Sequence, residues 1–326
     1  MNCIFESNIV FTIVICKKYY KDKMHLTIVS NIVKDKIILD KEQITYSLGG
    51  PPCYCGLIAK QFGAKVRLIT KFGIDFSNDD LLFFKNYGFE ISNSSLSQSP
   101  TTKFILKIYD SNRELYLLDK CDSILVADLK QINTDCWIIS PVLDEIPYSV
   151  LEYLIEHNDD NDFLMLDPQG YTRKLDTNNK ILINENLDSF FFKNIDAIKI
   201  DPQELYCFTG GYDINTLRKL KLKNNIDYAI YSENKRIHML NQDKHYWLNI
   251  NKINTSDSTG AGDILASAFT CAFVRERDAL WAFSFGVGAV MASLKTKKKG
   301  IEKIPMMKYI EENASYNYNL IKYESF

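Results

Sequence analysis

The feature that most constrains the fold is an alternation of short apolar runs with amphipathic stretches. Five brief runs, each followed by a polar turn, have the length and residue types of buried strands: 66–70, 136–140, 163–167, 196–200 and 227–231. Stretches with helical periodicity lie before and between them: 53–62, 81–87, 147–157, 203–208 and 217–223. This alternation predicts an α/β fold in which helices cover both faces of a mostly parallel sheet, with ligands at the carboxyl ends of the strands.

Two segments depart from this pattern. Residues 34–48 and 102–118 alternate polar and apolar side chains, as half-exposed strands do. We expect them to form a small antiparallel sheet inserted into the α/β body, where it acts as a lid.

Composition and charge narrow the class of function. The chain has 326 residues, of which 46% are hydrophobic and 25% charged, so a disordered or low-complexity protein is excluded. A net charge of −2 provides no field that would attract DNA, RNA or an anionic membrane. We therefore expect a small-molecule partner, with neither nucleic acid nor a membrane. The eight cysteines have no CxxC spacing and are interpreted as free thiols of a cytoplasmic protein.

The amino terminus is interpreted separately. Residues 8–16 are apolar but too short to span a bilayer, and a polar stretch, 17–23, follows them. We expect residues 1–23 to be an extension of unclear role, outside a single catalytic domain at 24–326.

The strongest chemical signal is the small-residue loop 257–263 (DSTGAGD), which opens into an apolar-faced helix. Gly260 and Gly262 leave room for a phosphate beside the backbone, where the first helical turn offers unpaired amides. Asp263 would then face the bound anion and take a proton from an attacking hydroxyl. The alternative is a capped structural helix, with Asp257 or Ser258 as its N-cap.

This loop resembles the DTxGAGD signature of the ribokinase-like (PfkB) carbohydrate kinases. Residues 48–75 are similar to the GG, LGA and G-x-D elements of that family, and 199–204 to its N-x-x-E element, with Asp201 in place of Asn. Residues 167–173 (DPQGYTR) are similar to a D-x-Q-x-x-x-R segment of inositol kinase-like members. The resemblance covers about 24–310 in the order of the family, and implies a three-layer α/β/α ribokinase-like fold with a small β-sheet lid.

The resemblance implies catalytic and metal roles. Asp263 would be the base, and the backbone of Gly260, Ala261 and Gly262 would form an anion hole for the phosphoryl group. Glu204 and Asp201 would hold Mg²⁺ beside the phosphates of ATP.

Further residues are assigned by the same resemblance. On the acceptor side the residues are Asp35, Gly49, Gly50, Tyr54, Gln169 and Arg173. On the nucleotide side they are Ser232, Thr259, Gly260, Gly262 and Gly286. Alternative interpretations are a plain turn at Gly49 and Gly50, a surface position for Arg173 and helix packing for Gly286.

Together these features predict a cytoplasmic, ATP-dependent kinase for a small sugar or polyol, with a cyclitol such as myo-inositol as the preferred acceptor. The alternatives are a nucleoside kinase of the same fold, a sugar-phosphate kinase and a catalytically weak sensor. Five basic residues of the lid strands keep the sugar-phosphate alternative open: Lys34, Lys36, Lys103, Lys107 and Arg113. The exposed pattern of these strands also suggests a homodimer formed through the lid.

Overall fold

The structure, a computed structural model, describes residues 23–39, 43–92, 95–109, 112–159, 161–189, 192–233, 235–250 and 257–326. The extension expected at 1–23 lies outside these residues, apart from its last position. The described strands are β1 His25–Val29, β2 Val33–Leu39, β3 Gln43–Gly49, β4 Lys65–Ile69, β5 Phe72–Gly73, β6 Phe89–Ile91, β7 Leu96–Ser97, β8 Thr102–Tyr109, β9 Asn112–Asp119, β10 Cys136–Ile139, β11 Phe163–Leu166, β12 Arg173–Leu175, β13 Ile181–Ile183, β14 Ala197–Ile200, β15 Tyr228–Ser232, β16 Arg236–Asn241, β17 Lys244–Asn249 and β18 Lys322–Ser325. The described helices are α1 Pro51–Gln61, α2 Asn78–Asn86, α3 Tyr148–His157, α4 Pro202–Thr209, α5 Ile214–Lys223, α6 Ala261–Glu276, α7 Ala279–Lys295 and α8 Met307–Tyr318.

The central sheet has the order β18-β17-β16-β15-β14-β11-β10-β1-β4-β6. Pairing is parallel from β6 to β15 and antiparallel from β15 to β18. Strands β10, β11 and β14 are buried at every position, which explains why their residues are apolar, with the exception of Lys199 in β14. The predicted mostly parallel sheet is confirmed, and the predicted strands agree with the observed ones to within two residues.

A hydrophobic core lies on each face of this sheet. One core is formed with α1, α6, α7 and α8, and the other with α3, α4 and α5. The three-layer arrangement predicted from the alternation is therefore confirmed. It leaves the carboxyl ends of the parallel strands free to meet the amino termini of α4 and α6.

The lid is a separate four-stranded sheet with the order β3-β2-β8-β9. The two hairpins, β2–β3 and β8–β9, are antiparallel as expected, but their central pair, β2 and β8, is parallel. The prediction of an antiparallel sheet was wrong at this pair. The long connection through α1, β4 and α2 lets β8 start beside the beginning of β2, at Val33, and run in the same direction.

Two further observations apply to the residues that the structure describes. No helix among them has both the length and the apolar character needed to cross a bilayer. The six described cysteines are buried free thiols.

Candidate active site

The amino terminus of α6 is formed by a tight turn at the carboxyl edge of the sheet. Gly260 has φ +74°, and a Cβ atom added to it would lie 2.5 Å from the ring of Tyr54. A side chain is therefore excluded there both by backbone conformation and by space. The Ala261 N–H donates to the Ser258 carbonyl at 3.1 Å, so this amide is already engaged within the turn.

The structure does not have the capped helix considered as an alternative. The N-cap of α6 is Gly260, and no side chain caps the helix. The carboxylate of Asp257 instead accepts the N–H of Thr259 at 2.8 Å and stabilises the loop before the helix. The amides of the first turn of α6 are therefore not taken up by a capping side chain.

Asp263 lies in that first turn and is 7% exposed. Burial and the negative charge of Asp167 raise its pKa to about 7, against the opposing effects of Lys199, Arg173 and Gln169. A carboxylate that titrates near neutral pH is suited to accept a proton from a hydroxyl.

Gln169 joins Asp263 to Arg173. The Gln169 Nε2 donates to Asp263 Oδ1 at 3.4 Å, and Arg173 Nη2 donates to Gln169 Oε1 at 2.9 Å. Arg173 also donates to the Val142 carbonyl at 2.5 Å. Three residues predicted from two distant motifs are thus brought together, and Arg173 is not the surface residue of the alternative interpretation.

Lys199 was not identified from the sequence, although a lysine inside the apolar strand β14 is itself a signal, since lysines are rarely buried without partners. Its Nζ lies 3.2 Å from Asp167 Oδ2 and 3.5 Å from Glu204 Oε2. A Cβ added at Gly262 would lie 2.9 Å from this ammonium. Burial lowers the pKa of Lys199, but Asp167, Glu204, Asp201 and Asp263 together raise it above its usual value, so it stays charged.

Asp201 and Glu204 form a capping box at the start of α4. Asp201 Oδ1 accepts the Glu204 N–H at 2.8 Å, and Glu204 Oε2 accepts the Asp201 N–H at 2.7 Å. Burial raises the pKa of the Glu204 carboxyl, which the nearby positive charge of Lys199 lowers only in part.

The fit of this pair to Mg²⁺ follows from its donor atoms. No cluster of three or more potential ligands occurs among the described residues. One oxygen of each carboxylate is occupied by a backbone amide. The pair therefore suits a Mg²⁺ ion that keeps waters and takes most of its ligands from phosphates, which is the usual preference of this ion.

The predicted acceptor residues Asp35, Gly49 and Gly50 lie where the lid meets α1. The Asp35 carboxylate of β2 lies directly against Gly49, where any side chain would collide with it. Gly50 is the N-cap of α1 with φ +76°. Tyr54, 2% exposed, lies beneath the Gly260 turn. Burial, followed by the charges of Asp35, Asp257 and Asp263 among others, raises the pKa of the Tyr54 phenol.

A cavity of about 910 Å³ opens on the other side of the α6 turn. Ser258, Ala261 and Gly262 line one end of it, next to Asp201. Its remaining walls are largely apolar and aromatic: Tyr212, Tyr231, Ile237, Ile250, Leu265, Val290 and Leu294.

Some of the predicted nucleotide-binding residues line this cavity, and others support the elements around it. Ser232, at the end of β15, lines the cavity. Gly286 is not among the lining residues: a Cβ added there would lie 2.9 Å from Leu265 Cδ1, so it allows close packing of α6 and α7. Thr259 supports the turn through its bond to Asp257.

The sheet order, the separate lid and the turn before α6 define a ribokinase fold, and comparison with solved structures agrees. The predicted fold class is thereby confirmed. No protein-family model and no curated protein sequence matches the chain.

Three solved structures illustrate the similarity. A pyrophosphate-dependent kinase of the ribokinase family, complexed with a pyrophosphate analogue and myo-inositol, is 21% identical, with a TM-score of 0.73 over 88% of this chain and 99% of that one. Ribokinase from Thermotoga maritima is 16% identical, with a TM-score of 0.70 over 90% and 99%. A nucleoside kinase from Methanocaldococcus jannaschii is 16% identical, with a TM-score of 0.68 over 90% and 99%.

Proposed function

We propose that the protein is a kinase of the ribokinase family that transfers the terminal phosphoryl group of ATP to a hydroxyl of a small polyol. The observation that carries this proposal is the position of Asp263. Its backbone belongs to the turn that lines the large cavity, whereas its carboxylate contacts Gln169. A base placed between an anion site and a polar acceptor site is what in-line phosphoryl transfer requires.

A cyclitol such as myo-inositol is the acceptor that we favour. Gln169 and Arg173 supply an amide and a guanidinium next to the base, and Asp35 supplies a carboxylate from the lid side. Such groups suit several hydroxyls on one ring. The resemblance of 167–173 to inositol kinase-like sequences and the solved neighbour that binds myo-inositol support the same acceptor.

A phosphorylated acceptor is less well supported, because lid lysines already have acidic partners. Lys34 pairs with Asp80 at 2.6 Å, and Lys103 pairs with Asp75 at 2.7 Å and Asp119 at 3.0 Å. These ion pairs compete with a phosphate for the same ammonium groups.

ATP is the donor that the cavity favours, because its apolar walls at Ile237, Val290 and Leu294 suit a nucleoside and serve no purpose for pyrophosphate alone. Pyrophosphate is the second candidate, since neighbours in the comparison use it. In either case Asp201 and Glu204 would hold Mg²⁺, which neutralises the phosphate charge.

The proposal is tested by incubating the protein with Mg²⁺, either ATP or pyrophosphate, and each of myo-inositol, ribose, fructose, cytidine, adenosine and fructose 6-phosphate. Product formation is followed by mass spectrometry. Phosphorylated myo-inositol that is lost in Asp263→Asn supports the proposal. Preferred turnover of cytidine or adenosine would instead indicate a nucleoside kinase, and of fructose 6-phosphate a sugar-phosphate kinase. Binding without any turnover would indicate a sensor.

The donor is tested with a variant that narrows the cavity. Leu294→Trp is expected to raise the KM for ATP at least tenfold, because the larger ring fills space beside Val290. Turnover with pyrophosphate would not change. Leu222→Trp, at a position that is 60% exposed on α5, is the matched control.

We also propose that the protein is cytoplasmic and that it forms a homodimer through the lid. Ile44 and Tyr46 of the edge strand β3 are 50% and 74% exposed, and they support such a contact. The opposite edge is less available, since the Leu117 N–H of β9 donates to the Asn179 carbonyl at 2.8 Å.

A further inference from the structure

The residue Lys303 is 1% exposed, although the predicted mechanism has no use for it. It ends a short 3₁₀ turn, Gly300–Lys303, that follows α7. A lysine is rarely buried to this extent unless its charge is matched by partners. Its surroundings therefore indicate what its ammonium group does.

Two of those partners belong to the loop that precedes the α6 turn, and the third belongs to α1. The Lys303 Nζ lies 3.2 Å from Asp257 Oδ2 and 3.3 Å from the Asp257 carbonyl oxygen. It also lies 5.6 Å from the centroid of the Tyr54 ring, within the range of a cation–π contact. One internal cation is thus bound by a carboxylate, a carbonyl and an aromatic face.

These partners are also the supports of the anion turn. Asp257 Oδ1 holds the Thr259 N–H at 2.8 Å, and the ring of Tyr54 lies against Gly260. Removing the ammonium would take away a positive charge that offsets the burial of Asp257. The carboxylate would then turn toward solvent, and Thr259 would lose its partner.

The same segment reaches the lid. The Gly300 N–H donates to Asp257 Oδ2 at 2.8 Å, and a Cβ added at Gly300 would lie 2.8 Å from Ser47 Oγ of β3. The 3₁₀ turn is therefore fixed between the lid strand and the loop that shapes the anion site.

We propose that Lys303 is a positioning residue whose ammonium group acts as a built-in cation, holding Asp257 and Tyr54 so that the amides of the α6 turn point at the transferred phosphoryl group. The inference rests on the proposed kinase function. An anion hole is effective only when its donors are fixed before the reaction, so a loosened turn lowers the rate of the chemical step. The acceptor residues Gln169 and Arg173 lie on other elements and keep their contacts.

The test compares Lys303→Ala with the parent protein and with Lys298→Met, which removes an exposed charge from the same segment. In Lys303→Ala we expect kcat to fall at least thirtyfold with the acceptor KM within twofold of the parent. Methylammonium, which can occupy the space left by the side chain, is expected to restore kcat at least fivefold in a saturable manner. Lys298→Met is expected to match the parent.

Other outcomes would overturn the proposal. If Lys303→Ala lowers thermal stability while the folded protein keeps the parent kcat, the residue has only a structural role. A loss of kcat that methylammonium does not relieve would refute a built-in cation. If Lys303→Ala fails to fold, Lys303→Met is measured in its place. It keeps most of the side-chain volume, and an unchanged kcat would again refute the proposal.

A separate readout distinguishes this inference from the kinase proposal. Calorimetric titration with ATP and with pyrophosphate measures anion binding without any turnover. The parent protein could phosphorylate no acceptor and yet bind ATP or pyrophosphate about tenfold more tightly than Lys303→Ala does. That result would refute the kinase proposal but support the positioning role of Lys303. Equal binding by the two proteins would contradict the positioning role.

Discussion

Replacing Asp263 with Asn is expected to stabilise the folded protein at alkaline pH while abolishing turnover. The pKa of this carboxyl rises from 3.8 to about 7 on folding, chiefly through burial and then through the charge of Asp167. The corresponding free energy is about 4 kcal/mol, since each unit of pKa shift is about 1.4 kcal/mol. Because the folded pKa is raised, its contribution to stability is fully present below pH 3.8 and is lost as pH rises through about 7.

Asn is neutral at every pH and keeps an oxygen for the Gln169 amide. The parent and Asp263→Asn should therefore have similar stability near pH 4. At pH 8.5 the variant should be the more stable by about 2–4 kcal/mol, the upper value being the full shift. The parent should lose this stability between about pH 4 and pH 7.

The free energy of unfolding of both proteins is measured as a function of pH by urea denaturation followed by fluorescence, in steps of half a pH unit from pH 4 to pH 9. The control is Asp278→Asn, an exposed N-cap of α7 that accepts from Leu280 and Trp281. Asn caps a helix as well as Asp does, so this curve should follow that of the parent. Parallel curves for the parent and Asp263→Asn would refute the assignment of a destabilising buried charge to Asp263.

Two other predictions concern the same site, and a third concerns the lid. The value of kcat/KM is expected to fall tenfold per pH unit below a midpoint near pH 7, where Asp263 becomes protonated, and a flat profile from pH 5 to 8 would contradict its role as base. Gly260→Ala is expected to cost about 2–4 kcal/mol of folding free energy, since its φ is +74° and its Cβ would meet the ring of Tyr54. Gly262→Ala lacks that backbone strain, but its Cβ would displace the Lys199 ammonium from its carboxylate partners, so it should cost less stability and lose activity. Urea denaturation and turnover separate the two variants, and equal costs would contradict the geometry. Light scattering is expected to show a dimer that Tyr46→Lys dissociates, and a monomeric parent would exclude the lid contact.

Features set by local sequence were predicted well, and features set by distant contacts were not. Runs of apolar residues, interrupted only by Lys199 in β14, identify β10, β11 and β14 because both faces of a parallel sheet are covered. The glycines at 260 and 262 identify the turn because neither position has room for a side chain, and Gly260 also has a positive φ. These two signals were sufficient for the sheet and for the position of Asp263.

Contacts between segments that are distant in the sequence were harder to predict. The parallel contact of β2 with β8 depends on where the chain returns after α1, β4 and α2, which the alternation within each strand does not encode. Lys303 and Asp257 are 46 positions apart, and nothing in the polar segment around Lys303 marks it as buried. Lys199 was detectable in principle, as a charge within an apolar strand, but its partners Asp167 and Glu204 come from separate elements.

The most direct test of the central claim is the initial rate of myo-inositol phosphorylation with saturating ATP and Mg²⁺ at pH 8, with the phosphorylated product identified by mass spectrometry. We predict turnover by the parent protein and a loss of at least a thousandfold in Asp263→Asn, whose fold is verified by its urea curve. Turnover of similar rate in that variant, or none with myo-inositol in a parent protein that binds ATP, would contradict the account.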